Sequence, residues 1–297
     1  MVEPVAVPDQ EESIELEPHE DTAKRQPGRF LLLCLGAIVF VFPFYYMVVG
    51  SLQEEADKSL RGILPNPSNM TLHNYAQINT SIDATRGLLN SAIFTMGVLL
   101  GTLLFGLLAG WALAQMEFRG KATIFSAMLL VLIVPFQLLM IPLYVLIVRT
   151  YGLGDSYWGM ILPFAINSTA VFIFRQFFIQ IPREILEAAR IDGAGEIRLL
   201  TKIGIPLAKP AILTALLITF IGPWNEFLWP FLVTKKQEMQ PFAVSLANYM
   251  QNLAARADNP DGTILAGGVL LAVPAILLFL LFQRHFTSAN LGSAVKG

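Results

Sequence analysis

Six stretches of this chain are each long and apolar enough to cross a lipid bilayer as a helix, and this property narrows its possible folds more than any other. A helix rises 1.5 Å per residue, so about 20 apolar residues cover a hydrocarbon core of roughly 30 Å. The stretches are Phe30–Gly50, Ser91–Ala114, Ile124–Val148, Trp158–Phe178, Ala211–Val233 and Ala266–Phe286. Asn167, Ser168 and Thr169 interrupt the fourth near its middle. Composition agrees: 55% of the 297 residues are hydrophobic and 14% charged, against about a quarter charged in soluble domains. The expected fold is all-α, a polytopic membrane protein with six transmembrane helices and a cytoplasmic helical elbow. The first apolar run is long and follows 29 residues, so it reads as an uncleaved span, not a signal peptide.

Charge sets the expected orientation. Eight of the 22 acidic residues (Glu3, Asp9, Glu11, Glu12, Glu15, Glu17, Glu20 and Asp21) precede residue 22, which leaves 14 acids against all 20 Lys and Arg in the rest. Residues 1–27 therefore read as an acidic, disordered cytoplasmic tail, and 28–297 as the transmembrane domain. Cytoplasmic loops retain Lys and Arg. With the N-terminus inside, only Lys58, Arg61, Arg86, Arg149, Lys235, Lys236 and Arg256 fall outside, seven of the 20, so both termini are expected in the cytoplasm. The lone Cys34 and the scattered His19, His73 and His285 match no disulfide framework or metal-ligand spacing.

The loops are unequal. The outer Thr234–Leu265 carries an amphipathic segment over Ser245–Ala255. It is longer than a mere connection needs, and Asn248, Tyr249, Gln251 and Asn252 are its candidate contacts to an external protein. The inner loop, about 179–210, is polar and patterned. Pro182 suits a first helical position. Ile185, Ala188 and Ala189 share one face, and Gly193 can take the left-handed conformation that ends a helix. A second short helix, Gly195–Ile203, is expected to present Ile197, Leu200 and Ile203 on one side and to stop at Gly204 and Pro206. The pair Ala188-Ala189 favours close protein approach over a lipid-anchoring surface.

The run Glu187-Ala-Ala-Arg-Ile-Asp-Gly-Ala194, followed by Ile203, Pro206 and Pro210, resembles the EAA loop of permease subunits of binding-protein-dependent ABC importers. The resemblance covers most of 28–297 and is nearest the carbohydrate branch, the maltose-type second permease. Thr71-Leu-His-Asn-Tyr75, Asn90-Ser91, Ile141-Pro-Leu-Tyr144, Arg175-Gln-Phe-Phe178, Trp224-Asn-Glu-Phe-Leu-Trp229 and the Gly292…Val295-Lys-Gly297 end support it. Leu200 stands where Phe is common and Glu226 where Asp is common. The resemblance implies that Glu187, Ala188, Ala189, Asp192, Gly193 and Ala194 form a coupling helix docked on an ATPase. It also implies a second homologous permease, two ATP-binding-cassette subunits, an extracytoplasmic sugar-binding protein and a prokaryotic cell membrane. No nucleic acid is involved. The chain has no G-x-x-x-x-G-K-[ST] cradle, so it is not read as an enzyme. It binds no cofactor itself, and ATP and Mg belong to the partner ATPase.

Polar residues within spans are costly in lipid and usually face a bundle interior. Gln137, Asn167, Trp224, Asn225 and Glu226 are the candidate substrate path; aromatic faces with amide and carboxylate groups suit a neutral sugar or oligosaccharide. Arg175, a basic residue within the fourth span, lies near its cytoplasmic end, where it can snorkel to the interface. A glycerol-phosphate-type solute is the alternative. A secondary transporter would need midplane ion-coupling carboxylates and an inverted repeat, and neither is evident. The two G-x-x-x-G pairs, Gly97–Gly101 and Gly106–Gly110, permit close helix approach. Their nine-residue offset predicts opposite faces and two different neighbours.

Overall fold

A computed structural model describes residues 27–55, 60–254 and 257–294, with the side chains of 27, 60, 61 and 284–294 left aside. The acidic tail up to Gln26 and the end from Val295 lie outside the described residues. The chain divides into two compact units at Pro43 and Phe44. The first holds the N-terminal part of helix α1 (Pro27–Ser51), whose apolar side chains are largely exposed, as lipid-facing residues would be.

In the second unit α2 (His73–Ile82) and α3 (Ala84–Gln115) meet at Asp83. Asp83 has φ of 49° and accepts a hydrogen bond from the Arg86 N–H at 3.1 Å, so one residue ends α2 and caps α3. Next come α4 (Lys121–Val131), α5 (Phe136–Tyr144, continued as a π-helix over Val145–Thr150), α6 (Tyr157–Ala165) and α7 (Ser168–Ile179). The elbow contains α8 (Arg183–Ile191) and α9 (Glu196–Leu199). A π-turn over Leu200–Gly204 leads into α10 (Ile205–Leu207). Helices α11 (Lys209–Asn225), α12 (Leu228–Val233), α13 (Phe242–Asn252) and α14 (Pro260–Ala294) complete the chain. The described residues contain no named strand, and the fold is all-α as expected.

Three single helices are long and apolar enough to cross a membrane: Gly28–Ser51, Ala84–Gln115 and Pro260–Gln283. Three bent pairs pass the same test, giving up to six spans when each pair counts as one. The third apolar stretch is thus not one continuous helix. It breaks at Leu132–Pro135 and turns through 98°, because Pro135 lacks an N–H and disfavours helical backbone at Val134. The fourth bends by 42° at Ile166–Asn167, where the Asn167 side chain accepts the Ala170 N–H at 3.1 Å and starts α7 afresh. The fifth stops at Asn225, two residues after Pro223, and resumes as α12.

The four glycines of the two G-x-x-x-G pairs in α3 all face the fourth apolar stretch, whereas Gly87 meets Phe242 of α13. A methyl at Gly97 would strike Ile161 Cδ1 of α6, and one at Gly101 would lie 2.8 Å from Ala165 Cβ. At Gly106 and Gly110 the obstruction is Phe174 of α7, at 3.0 Å and 2.7 Å. The expectation of two neighbours is overturned. The break in the fourth span lets α6 cover one pair and α7 the other.

At the end of α3 remote from the elbow, the Asn90 amide donates to the Glu238 and Gln240 carbonyls at 2.9 and 3.0 Å. Ser91 Oγ accepts the Phe242 N–H at 2.9 Å. Asn90-Ser91 thereby anchors the long 234–265 loop. Asn74 and Asn259 both donate to the Gln53 carbonyl, at 2.7 and 2.8 Å, and tie α2 and the start of α14 to the chain beyond α1. Such buried amides need these partners, since an unpaired one is costly away from water.

Candidate functional site

The elbow is built by local chemistry. Helix α8 begins after Pro182, which caps it and does not occupy the first helical position, and it ends at Asp192. Gly193 follows with φ of 83°. Its N–H donates to the Arg190 carbonyl at 3.0 Å, and the Ala194 N–H reaches back to the Ala189 carbonyl at 3.0 Å. Those two bonds satisfy carbonyls that the helix end leaves open, and the turn requires a left-handed residue.

The inward and outward faces differ from the expected ones. Leu186, Leu199 and Leu200 are buried, with Ala189, Ala194 and Ile203 packed against the same cluster as Trp111, Phe174 and Phe178. Glu187, Ala188, Asp192 and Gly193 are exposed, as are Ile185 and Ile197, and Ile191 is 86% exposed. Ala188 therefore lies on the exposed side while Ala189 packs inward. The second arm does not stop at Gly204 and Pro206. It runs to Leu207 because the π-turn skips ahead of Pro206, and only at Ala208 does the chain swing by 78° into α11.

Two residues that sequence reasoning passed over join the elbow to the spans. Glu196 Oε1 takes a hydrogen bond from Arg190 Nη2 at 3.0 Å, and Glu196 Oε2 takes one from Trp111 Nε1 at 3.0 Å. The signals for them were a ring N–H inside an otherwise apolar span and an acid in the first turn of the second arm. Arg175 does not simply reach toward an interface. Its Nε donates to the Leu113 carbonyl at 3.2 Å and its guanidinium lies 3.9 Å from the centre of the Phe125 ring.

An open cleft of about 600 Å³ lies among α3, α4, α5, α6, α7 and α11. Phe136, Phe164, Asn167, Ser168, Thr169, Thr219 and Glu226 contribute to its wall, and none of its lining residues is Lys or Arg. Of the five path candidates, Asn167 and Glu226 reach this cleft and Gln137, Trp224 and Asn225 do not. Trp224 is buried, stacked on Phe220, and donates to the Leu271 carbonyl at 2.8 Å. Asn225 donates to the Ile221 carbonyl of its own helix at 3.0 Å, and Gln137 is exposed elsewhere. Trp229 is fully buried and donates to the Gly159 carbonyl at 3.1 Å, so it is a core residue and not an interfacial belt residue. Glu226 has a structural duty too: its Oε1 accepts the Trp229 N–H at 3.2 Å at the start of α12.

On α13, Gln251 and Asn252 are exposed, while Asn248 is half-buried and donates to Gln240 Oε1 at 3.1 Å. Tyr249 is 1% exposed and packs against Ile78, Phe242 and Leu246. It is withdrawn as a surface contact. The amphipathic segment turns its aromatic face to α2 and α14, and burial pushes the Tyr249 phenol above its ordinary range.

Apolar helices, broken spans and a glycine-turned elbow define a polytopic membrane component of the permease class. Residues 102–289 match the family model described as binding-protein-dependent transport system inner membrane component, and the chain belongs to that family. It is 32% identical to the arabinooligosaccharides transport system permease protein AraQ of Bacillus subtilis, over 90% of this chain and 94% of that protein. It is also 32% identical to the sn-glycerol-3-phosphate transport system permease protein UgpE of Brucella abortus, over 86% of this chain and 92% of the relative. The fold is similar, with a TM-score of 0.79 and 24% identity, to a chain in the crystal structure of a bacterial ABC transporter involved in the import of the acidic polysaccharide alginate. That likeness covers 91% of this chain and 100% of the other.

Proposed function

We propose that this chain forms half of the translocation path of an ATP-driven importer for a neutral sugar or oligosaccharide. Coupling runs through the elbow, about residues 179–210, to a separate ATP-binding-cassette subunit that holds ATP and Mg. The observation that carries this reading is the outward face of α8. Ile185, Ala188 and Ile191 stay uncovered beside Glu187 while Leu186, Leu199 and Leu200 hold the elbow to the spans from within. A second, homologous permease completes the path. Residues 28–297 form the membrane domain, and both termini are cytoplasmic.

This orientation is read by thiol labelling in a Cys34→Ser background. A cysteine at Gly193 is expected to resist an impermeant reagent in intact cells and one at Asn252 to react, and the reverse pattern would overturn the topology. The exposed Gln251 and Asn252 are the proposed contacts of an external sugar-binding protein. Crosslinkers at these positions are expected to capture it during turnover, and failure to capture it removes that role.

The cleft supports a neutral solute. Glu226 is its one charged lining residue, and a phosphate entering there would face a carboxylate where a cation would suit it. The glycerol-phosphate relatives favour the opposite solute, so uptake decides. A reconstituted complex is expected to import arabinotriose or maltotriose and to leave sn-glycerol 3-phosphate behind. Preference for the phosphate would refute the neutral-sugar reading. Glu226→Gln keeps an oxygen for the Trp229 N–H and removes the charge, so it should lower sugar uptake roughly tenfold, the scale of a hydrogen bond to an ionised group. Unchanged uptake would take Glu226 off the path.

A further inference from the structure

The elbow is held by two kinds of contact that can be separated. Its fold rests on the buried Leu186, Leu199 and Leu200 and on the turn at Gly193. Glu196 adds a polar link between the elbow's first arm and α3. This carboxylate divides its two oxygens, Oε1 to Arg190 on the first arm and Oε2 to Trp111 in α3, each at 3.0 Å. Trp111 is 2% exposed. Its ring meets Phe178 edge-on with centroids 5.2 Å apart, and its rim would be 2.7 Å from a Cβ at Gly204 in the π-turn. The ring therefore touches the end of α7 and the second arm at once, and its N–H reaches the carboxylate that grips the first arm. The Arg190–Glu196 pair is more than a third exposed on both sides, and pairs of that kind add little to stability.

We propose that Glu196 is a positioning residue for coupling. By joining Arg190 to Trp111 it makes α8 turn with α3, so that movement of the spans reaches the docked ATPase, and ATPase movement reaches the spans. The inference rests on the elbow being the ATPase contact. Neither Trp111 nor Glu196 lines the cleft, and both act through α8.

The test uses the full reconstituted complex with its binding protein, and whichever of arabinotriose, maltotriose and sn-glycerol 3-phosphate the unaltered complex imports. Glu196→Ala and Arg190→Met are expected to lower solute moved per ATP hydrolysed by about fivefold or more, the lower end of ordinary coupling energies. ATP hydrolysis should become correspondingly less dependent on the binding protein. The double variant should be no worse than Glu196→Ala alone, because both changes break one linkage. A merely structural role would lower assembly, transport and hydrolysis together and leave the ratio untouched. If Glu196→Ala assembles poorly, Glu196→Gln, which keeps the side-chain length, gives the same readout. A normal solute-to-ATP ratio in the assembled variants overturns the proposal. If Gly193→Val still disrupts coupling in that case, the elbow reading stands and the Glu196 inference alone fails. Normal transport in Gly193→Val and Glu187→Lys overturns both.

Discussion

Replacing Gly193 with valine is expected to cut ATP-linked transport at least tenfold, while asparagine at the same position retains most of it. The two outcomes separate conformation from space. A Cβ at Gly193 meets nothing within 4 Å, but the residue sits at φ of 83°. Left-handed backbone costs an L-residue about 1–2 kcal/mol, more for a β-branched one and less for asparagine. One or two kcal/mol shifts a two-state balance by roughly 5- to 30-fold, here between the closed turn and one in which Gly193 and Ala194 lose their bonds to Arg190 and Ala189. The loss is read as ATPase retained by the purified complex and as solute uptake. Equal activity of the valine and asparagine variants would show that the turn is not what positions α8. Glu187→Lys tests the outward face separately. Glu187 is exposed and no fold is at stake, so normal assembly and transport there would remove the carboxylate from the docking surface.

Gly110→Ala is expected to be, with Gly101→Ala, among the most damaging single methyls added to the second span. Its Cβ would lie 2.7 Å from Phe174 Cβ, 3.1 Å from the Arg175 nitrogen and 3.3 Å from the Phe174 carbonyl carbon. Atoms on or next to a backbone cannot rotate aside, so α3 and α7 must separate. Overpacking of this kind costs about 1–3 kcal/mol, and in a bilayer close packing of small residues is a main source of helix association. Gly97→Ala meets the tip of the Ile161 side chain, which another rotamer can clear. The yield and melting temperature of the purified complex should fall clearly for Gly110→Ala and little for Gly97→Ala. The opposite order would mean that α7 does not lie against α3 as described.

Much of the molecule is legible along the chain because the responsible physics is local. Length and apolarity identify the spans, Asn167 marks the interruption of the fourth, and Gly193 with its preceding helix marks the elbow; the break of the third span at Pro135 was not read from the sequence. The spacing of Glu187, Gly193 and Ile203 points to the family, and the match over residues 102–289 bears it out. Direction was not legible. A span apolar on every side has no sequence moment to say which face meets a neighbour, so the paired glycines of α3 and the rings of Trp224 and Trp229 could be placed only by packing. The same holds at the elbow, where Ile185 and Ile197 carry the helical spacing of a core face while Leu186 and Leu199 are the residues buried. The sequence alone determined which stretches are apolar enough to cross a membrane and that the elbow turns at Gly193. Only the tertiary structure decided which side of each helix is covered, because long-range contacts such as Trp111 with Glu196, 85 residues apart, leave no periodic trace in the chain.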